Sequence, residues 1–530
     1  MIQQNDLELS NHLQKQGADT KTVLGHPASL FVLFFTEMWE RFSYYGMRAL
    51  LTLFLVSSLA DGGWQWSRED AMTLYGWYTG LVYLTPLIGG IIADKLTGFK
   101  KAILLGALIM TLGHASMALE GINANFFYLG LALMILGNGM FKPNISSMVG
   151  NLYPDTSAKK DAGYTIFYMG INAGAFLGML LCGYIGEKVG WHYGFGLAGV
   201  FMFFGMLQFF FAQKVFGING ESPKKTKEFH DKKIANHEEN AEEKTPAKVV
   251  SDRLIVVAVL MLASIVFFLA FEQAGGSMSI FALDYTQRVL DGNAAITFKW
   301  IDAILTIAPI AIVTIVLASL AKKLFKEYPL TIIFTAISFL IIWGLGIWKV
   351  WAEFKNVETE VAASWFQILN SFFIITLASA FSKFWEKVWN PSGPIKFAIG
   401  LILVGIGFAA LAYGASSIPQ GAKTASVSMV WLVIAYFFHT TGELCLSPVG
   451  LSYVSKLSPK KLLGLLFGFW FGASAIANFI AGMLGSTIDK ITSEHSMSYF
   501  FMIFAIIPGI TALILILINP MLKKKMHGIN

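Results

Sequence analysis

Acidic and basic side chains interrupt runs that are otherwise almost wholly apolar, and their spacing is not that of a solvated face. The densest run reads Glu37-Met-Trp-Glu40-Arg41-Phe-Ser-Tyr44-Tyr45-Gly46-Met-Arg48. On a helix Glu37 meets Arg41 and Glu40 meets Tyr44, each pair four apart, with Arg48 two turns beyond Arg41. Lys142 follows in Gly137-Asn138-Gly139-Met-Phe-Lys142-Pro143-Asn144, whose glycines and proline suit a helix bending round a cavity. Later runs hold Glu272-Gln273 and, in Thr441-Gly442-Glu443-Leu-Cys-Leu-Ser447-Pro448, Glu443. An ionisable group at the centre of a membrane helix costs about 2.5–3.5 kcal/mol, so each marks a functional position. The chemistry open to such groups is to carry protons and to hold the charged ends of a small substrate. The earlier runs supply the bases Arg41, Arg48 and Lys142, the later ones the acids Glu272 and Glu443. A cavity with one positive and one negative wall suits a zwitterion with a free amine and a free carboxylate. Tyr83, Asn172 and Asn370 stand in neighbouring apolar runs as further polar contacts.

The composition requires lipid around these runs. Of 530 residues 55% are hydrophobic and 14% charged, against about 25% charged in a soluble protein. Several water-soluble cores could not be wrapped by so little polar surface. Two cysteines, Cys182 and Cys445, both in apolar stretches, exclude a disulfide scaffold. The polar first 25 residues carry no signal-peptide core.

A membrane helix needs about 20 mostly apolar residues. That rule predicts fourteen spans, near 29–57, 72–93, 102–121, 125–149, 162–186 and 193–213, then 253–283, 300–320, 330–352, 365–385, 396–415, 427–454, 462–488 and 498–520. Odd-numbered gaps hold scattered bases such as Arg68, Lys188 and Lys355. Even-numbered gaps hold clusters: Lys95, Lys100 and Lys101; Lys322, Lys323 and Lys326; Lys456, Lys460 and Lys461. The positive-inside rule therefore puts the even gaps and both termini in the cytoplasm. The net charge of +6 is a topology signal, and no nucleic-acid partner is expected.

The domain organisation follows: a cytoplasmic tail over 1–28, a six-helix bundle over 29–213, and a charged linker over 214–252. A second bundle over 253–520 is interrupted by an apolar hairpin at 298–352, and 521–530 forms a tail. The linker is too polar to order itself around a core. Asp302, beside Lys299 and Trp300, reads as interfacial, the hairpin reads as uncharged except at its ends, and His439 reads as a packed histidine.

The loop Gly90-Ile-Ile-Ala-Asp94-Lys95-Leu-Thr-Gly98-Phe-Lys100-Lys101 resembles the signature loop of the major facilitator superfamily. There an acid against helix-end amides latches two helices, and two six-helix halves surround a midplane site. Four stretches together resemble the proton-dependent oligopeptide transporter family of that superfamily. They are Glu37 to Arg48; Tyr164 to Gly178 with Phe167-Tyr168-Met-Gly-Ile-Asn172-Ala-Gly174; Phe271-Glu272-Gln273; and Gly442-Glu443-Leu-Cys-Leu-Ser-Pro448-Val-Gly-Leu-Ser452.

The resemblance implies an all-α inner-membrane symporter importing di- and tripeptides with protons. By position Glu37, Glu40 and Arg41 look like the family's proton-coupling cluster, with Glu272, facing Arg48 at the outer gate, a second proton candidate. Arg48, Lys142 and Tyr45 look like the side receiving the peptide carboxylate. Glu443, with Asn172 and Asn370, looks like the side receiving the amino terminus, and Tyr83 looks like a pocket-lining contact. Departures are Ala175 where a serine is common, Ser279 where an asparagine is usual, and a hairpin displaced from its usual place between the halves. The histidine of the animal members' second helix aligns with Gly76.

The nearest rival is the same fold moving nitrate, an amino-acid derivative or a peptide-like drug. A membrane enzyme or a transporter-like receptor is the rival from another class. No metal-ligand cluster, phosphate-cradling glycine loop or paired nucleophile and base occurs at motif spacing, so no cofactor, metal, ATP drive or enzymatic activity is expected.

Overall fold

Backbone groups in lipid must find their partners within their own segment, so apolar runs of this length become helices. The computed structural model describes every residue except 1, 155, 156, 158, 234–245, 460, 461 and 530. Lys460, Lys461 and the middle of the charged linker thus lie outside the described residues. The helices are α1 (Ile2–Lys15), α2 (Ala28–Val56), α3 (Arg68–Ile92), α4 (Phe99–Met117), α5 (Ala124–Asn151), α6 (Lys159–Lys188), α7 (Trp191–Ala212), α8 (Pro223–Lys233) and α9 (Ala247–Phe271). They continue as α10 (Ser277–Asp284), α11 (Gly292–Leu324), α12 (Pro329–Lys355), α13 (Ile368–Lys387), α14 (Gly393–Gly414), α15 (Val430–Leu457), α16 (Leu463–Ser486), α17 (Ile488–Glu494) and α18 (Met497–Lys525).

Among the described residues 12 helices are long and apolar enough to cross a membrane, where fourteen spans were expected. α2 and α4 coincide with the first and third expected spans but are not among the twelve. Glu37, Glu40, Arg41 and Arg48 depress the apolar character of α2. α4 has 19 residues, opens on Lys100 and Lys101 and carries His114 and Ser116.

The chain divides into two units. Unit 1 comprises Met1–Leu50, Thr85–His237 and Val289–Ala362. The N-terminal segment expected as a tail begins there as helix α1, which buries Leu9 and Leu13, and beyond its end Gln16 Nε2 donates to Asn151 O at 2.9 Å. At the signature loop Asp94 is exposed. The polar link there is made by Lys100, which donates to Gly217 O at 2.5 Å and Glu221 at 3.1 Å. Burial pushes the Glu221 carboxyl up, but hydrogen bonds and charge from Lys100 and Lys225 outweigh it and hold the group below its ordinary value.

The hairpin α11–α12 belongs to unit 1. Phe334 of α12 stacks on Phe211 near the end of α7 with ring centroids 5.3 Å apart. Phe339 meets Trp39 of α2 edge-on at 5.5 Å. Strands β1 (Thr22–Val23) and β2 (His26–Pro27) pair with each other, as do β4 (Val289–Leu290) and β5 (Thr359–Glu360) at the two ends of the hairpin; β3 (Thr286–Gln287) pairs with β6 (Val427–Ser428) in unit 2.

Asp302, expected at the interface, is 1% exposed and forms an ion pair with Lys349 of α12. The Lys349 ammonium also lies 5.0 Å from the Tyr184 ring of α6. The hairpin therefore carries an internal charge pair against α6. Breaking such a pair costs about 3–5 kcal/mol, whereas removing both charges is often neutral. Asp302→Asn and Lys349→Met should each lower the melting temperature of the purified protein, and the double substitution should recover most of the loss. Equal and additive losses in a double-mutant cycle would refute the coupling.

Unit 2 comprises Leu51–Leu84, Glu238–Arg288 and Ala363–Asn530. α3 and α16 cross with backbones in contact: a Cβ on Gly76 would sit 2.9 Å from the Gly482 Cα, and one on Gly482 would sit 2.2 Å from the Gly76 Cα. Arg68 at the start of α3 gathers Asp284 at 2.6 Å, Asp489 at 2.8 Å and the Tyr285 hydroxyl at 2.7 Å. His439 is buried against Phe408, ring centroids 4.4 Å apart.

Candidate functional site

The charged run of α2 is positioned by α6. A Cβ on Gly174 would fall 2.1 Å from Met38 O, and one on Gly178 would fall 2.2 Å from Phe42 O. Only glycine permits this approach, so α6 lies directly along the turn carrying Glu37, Arg41 and Phe42. On that turn Arg41 Nε stands 2.7 Å from Glu37 Oε1 and 2.8 Å from Glu40 Oε2. All three side chains are buried, Glu40 completely. A guanidinium held by two carboxylates inside a helix bundle is a group of three charges that sums to one negative charge. Adding one proton to it makes it neutral, which is the electrical condition for proton uptake without a buried excess charge.

The structure distributes the expected unit 1 residues over three places. Glu37, Glu40 and Arg41 form the cluster just described, and the positive charge of Lys142 on α5 acts on Glu40. Arg48, two turns beyond Arg41 on α2, is buried and lies 5.8 Å from the ring of Tyr45, leaving a cation braced by an aromatic face. Asn172 is buried, and its Nδ2 donates to Tyr168 O of its own helix at 3.0 Å.

Asn138 was not singled out from the sequence. Its Nδ2 donates to Glu40 Oε1 at 2.8 Å, and it is wholly buried. The available signal was an amide one helical turn before Lys142 in an apolar run.

In unit 2 the structure joins Asn370 of α13 to Glu443 of α15, Nδ2 to Oε2 at 3.0 Å. The same amide reaches Thr440 Oγ1 at 3.2 Å. Glu443 is only half-buried, so its second oxygen can meet a ligand. Glu272 is buried where α9 gives way to a tight turn, Glu272–Gly275, before α10. Its charge is felt at Glu443. Two acids that sense each other favour the arrival of a cation. Tyr83 is half-buried on α3. Among the described residues no group of three or more His, Cys, Asp or Glu could hold a metal ion.

Known proteins resemble this chain over nearly its whole length. The family pattern described as PTR2, POT family, matches residues 100–234 and 321–502. An uncharacterized transporter, YclF, of Bacillus subtilis is 33% identical over 521 residues, covering 96% of this chain and 97% of its own. The peptide transporter YePEPT of Yersinia enterocolitica is 32% identical over 532 residues, with 96% and 97% covered. A crystal structure of a peptide transporter POT in complex with sulfate superposes with a TM-score of 0.73 at 29% identity, all of both chains being covered. The chain is a multi-pass membrane protein and belongs to the POT family of transporters, a branch of the major facilitator superfamily, which moves solutes and is not a family of enzymes.

Proposed function

We propose that this protein imports di- and tripeptides together with protons by alternating access. The observation that carries the reading is the division of charge: buried or half-buried bases Arg41, Arg48 and Lys142 in unit 1, and acids Glu272 and Glu443 in unit 2. Arg48, with Tyr45 and Lys142, takes the peptide carboxylate. Glu443, oriented by Asn370 and joined by Asn172, takes the peptide amine, and Tyr83 lines the pocket. Glu37, Glu40 and Arg41 couple transport to protons, with Glu272 as a second proton acceptor. Main-chain charges are common to all short peptides, so side-chain tolerance follows. Relatives named for this activity include di-/tripeptide transporters of Lactococcus lactis, 31% identical over 535 residues.

The membrane placement we propose has fourteen crossings, α2 and α4 included, with both termini and the basic gaps on the cytoplasmic side of a plasma membrane. The transport core is two six-helix bundles, 29–213 and 253–520, the second interrupted by the hairpin 298–352.

Reconstituted into proteoliposomes with an inward proton gradient, the purified protein should concentrate a labelled dipeptide, and a protonophore should abolish the accumulation. Free dipeptides should compete and N-acetylated ones should not. Competition by nitrate, or by a single amino-acid derivative in place of peptides, would transfer the reading to that substrate.

A further inference from the structure

We infer that Asn138 is a positioning residue for proton coupling: its amide holds the Glu40 carboxylate in the orientation in which Glu40 exchanges a proton against Arg41. The inference rests on the proposed coupling role of Glu40 and goes beyond it by naming the group that governs it.

Glu40 has two oxygens with separate partners. Oε2 lies 2.8 Å from Arg41 Nε, and Oε1 accepts from Asn138 Nδ2 at 2.8 Å. The other charges acting on the carboxylate are Glu37 on the same helix and Lys142, one turn beyond Asn138 on α5. Tyr44 stands on the same side, its ring 6.0 Å from the Arg41 guanidinium. Glu37 and Arg41 share α2 with Glu40, so none of them ties the cluster to another helix. Asn138 does so, by one directed bond from α5.

The backbone around Asn138 is fitted closely. A Cβ on Gly137 would come 2.8 Å from Gly106 O, and one on Gly139 would come 2.7 Å from the Thr85 Cβ. The glycines on either side let α5 approach α4 and α3, which sets the depth at which the amide enters. Asn138 Oδ1 is buried and has no hydrogen-bond partner among the described residues. The amide meets the cluster through its donor.

A donor to a carboxylate favours its charged form. Without it, Glu40 takes its proton at higher pH, and the alkaline limb of the uptake profile moves up. Hydrogen bonds to charged groups are strong enough for a displacement of about one pH unit. Asn138→Leu, close in size but without a donor, should show this displacement in proton-driven dipeptide uptake, with KM for the peptide unchanged at low pH. Asn138→Asp places a second carboxyl against Glu40, and two acids sharing a site move the limb the same way. In a Glu40→Gln background Asn138→Leu should add nothing to the counterflow rate. A limb superimposable on the parent's in both Asn138 variants would overturn the inference, as would an added loss of counterflow in the double variant. Unaltered uphill uptake in Glu40→Gln alone would instead remove Glu40 from coupling, a separate failure of the function reading.

Discussion

Glu443→Gln should abolish measurable dipeptide uptake while the protein still folds. The substitution is chosen for what it keeps. A glutamine carbonyl still accepts from Asn370 Nδ2, now 3.0 Å from Glu443 Oε2, so the link between α13 and α15 survives. Only the charge goes. Truncating one partner of a buried, hydrogen-bonded charge pair costs about 2–5 kcal/mol, most of it the penalty of an unanswered charge. Applied to a peptide amine, that range is roughly a 30-fold to several-thousand-fold loss of affinity. Equilibrium binding of a labelled dipeptide, measured beside uptake, checks it. A variant with wild-type affinity would move the amine site away from Glu443.

Glu37→Gln and Glu40→Gln should separate gradient-driven accumulation from peptide exchange. Each leaves Arg41 one carboxylate within 2.8 Å, so the guanidinium remains neutralised and buried. With one carboxylate fewer, the cluster can no longer alternate between one negative charge and none. Gradient-driven accumulation of dipeptide should fall to the level set by equilibration. Exchange of internal for external peptide involves no net proton movement and should persist at a substantial fraction of the wild-type rate. The two assays on one preparation decide it, and undiminished uphill accumulation in both variants would take the cluster out of the mechanism.

How far the site could be read from sequence depended on how far apart the partners lie. Glu37 and Arg41 are one turn apart on one helix, so their pairing was visible as spacing. Glu443 and Asn370 are 73 residues apart; an acid in an apolar run marked the position, but its partner came only through family resemblance. Asp302 shows the limit. Lys299 and Trp300 beside it suggested a helix end at the membrane surface, while its actual partner, Lys349, is 47 residues away on the returning helix. Asn138 and its partner Glu40 are 98 residues apart on different helices, so no local spacing joins them. The helices themselves were legible from apolar length, except where function placed charges in α2 or polar and basic residues shortened the apolar part of α4.

The crossing of α3 and α16 reaches beyond packing. Each glycine fills the space where the other's side chain would begin, since a Cβ at either position meets the opposing backbone at 2.9 Å or less. A close backbone contact of this kind allows weak Cα–H to carbonyl hydrogen bonds as well as dispersion. It also makes positions 76 and 482 a joint constraint on inheritance. No single substitution can place an imidazole at position 76, where the family resemblance aligns the animal members' histidine, without first driving two helices apart. A lineage holding this crossing has a high barrier to acquiring that histidine. On the proposed mechanism its proton chemistry is left to carboxylates, whatever advantage a group titrating near neutrality would bring.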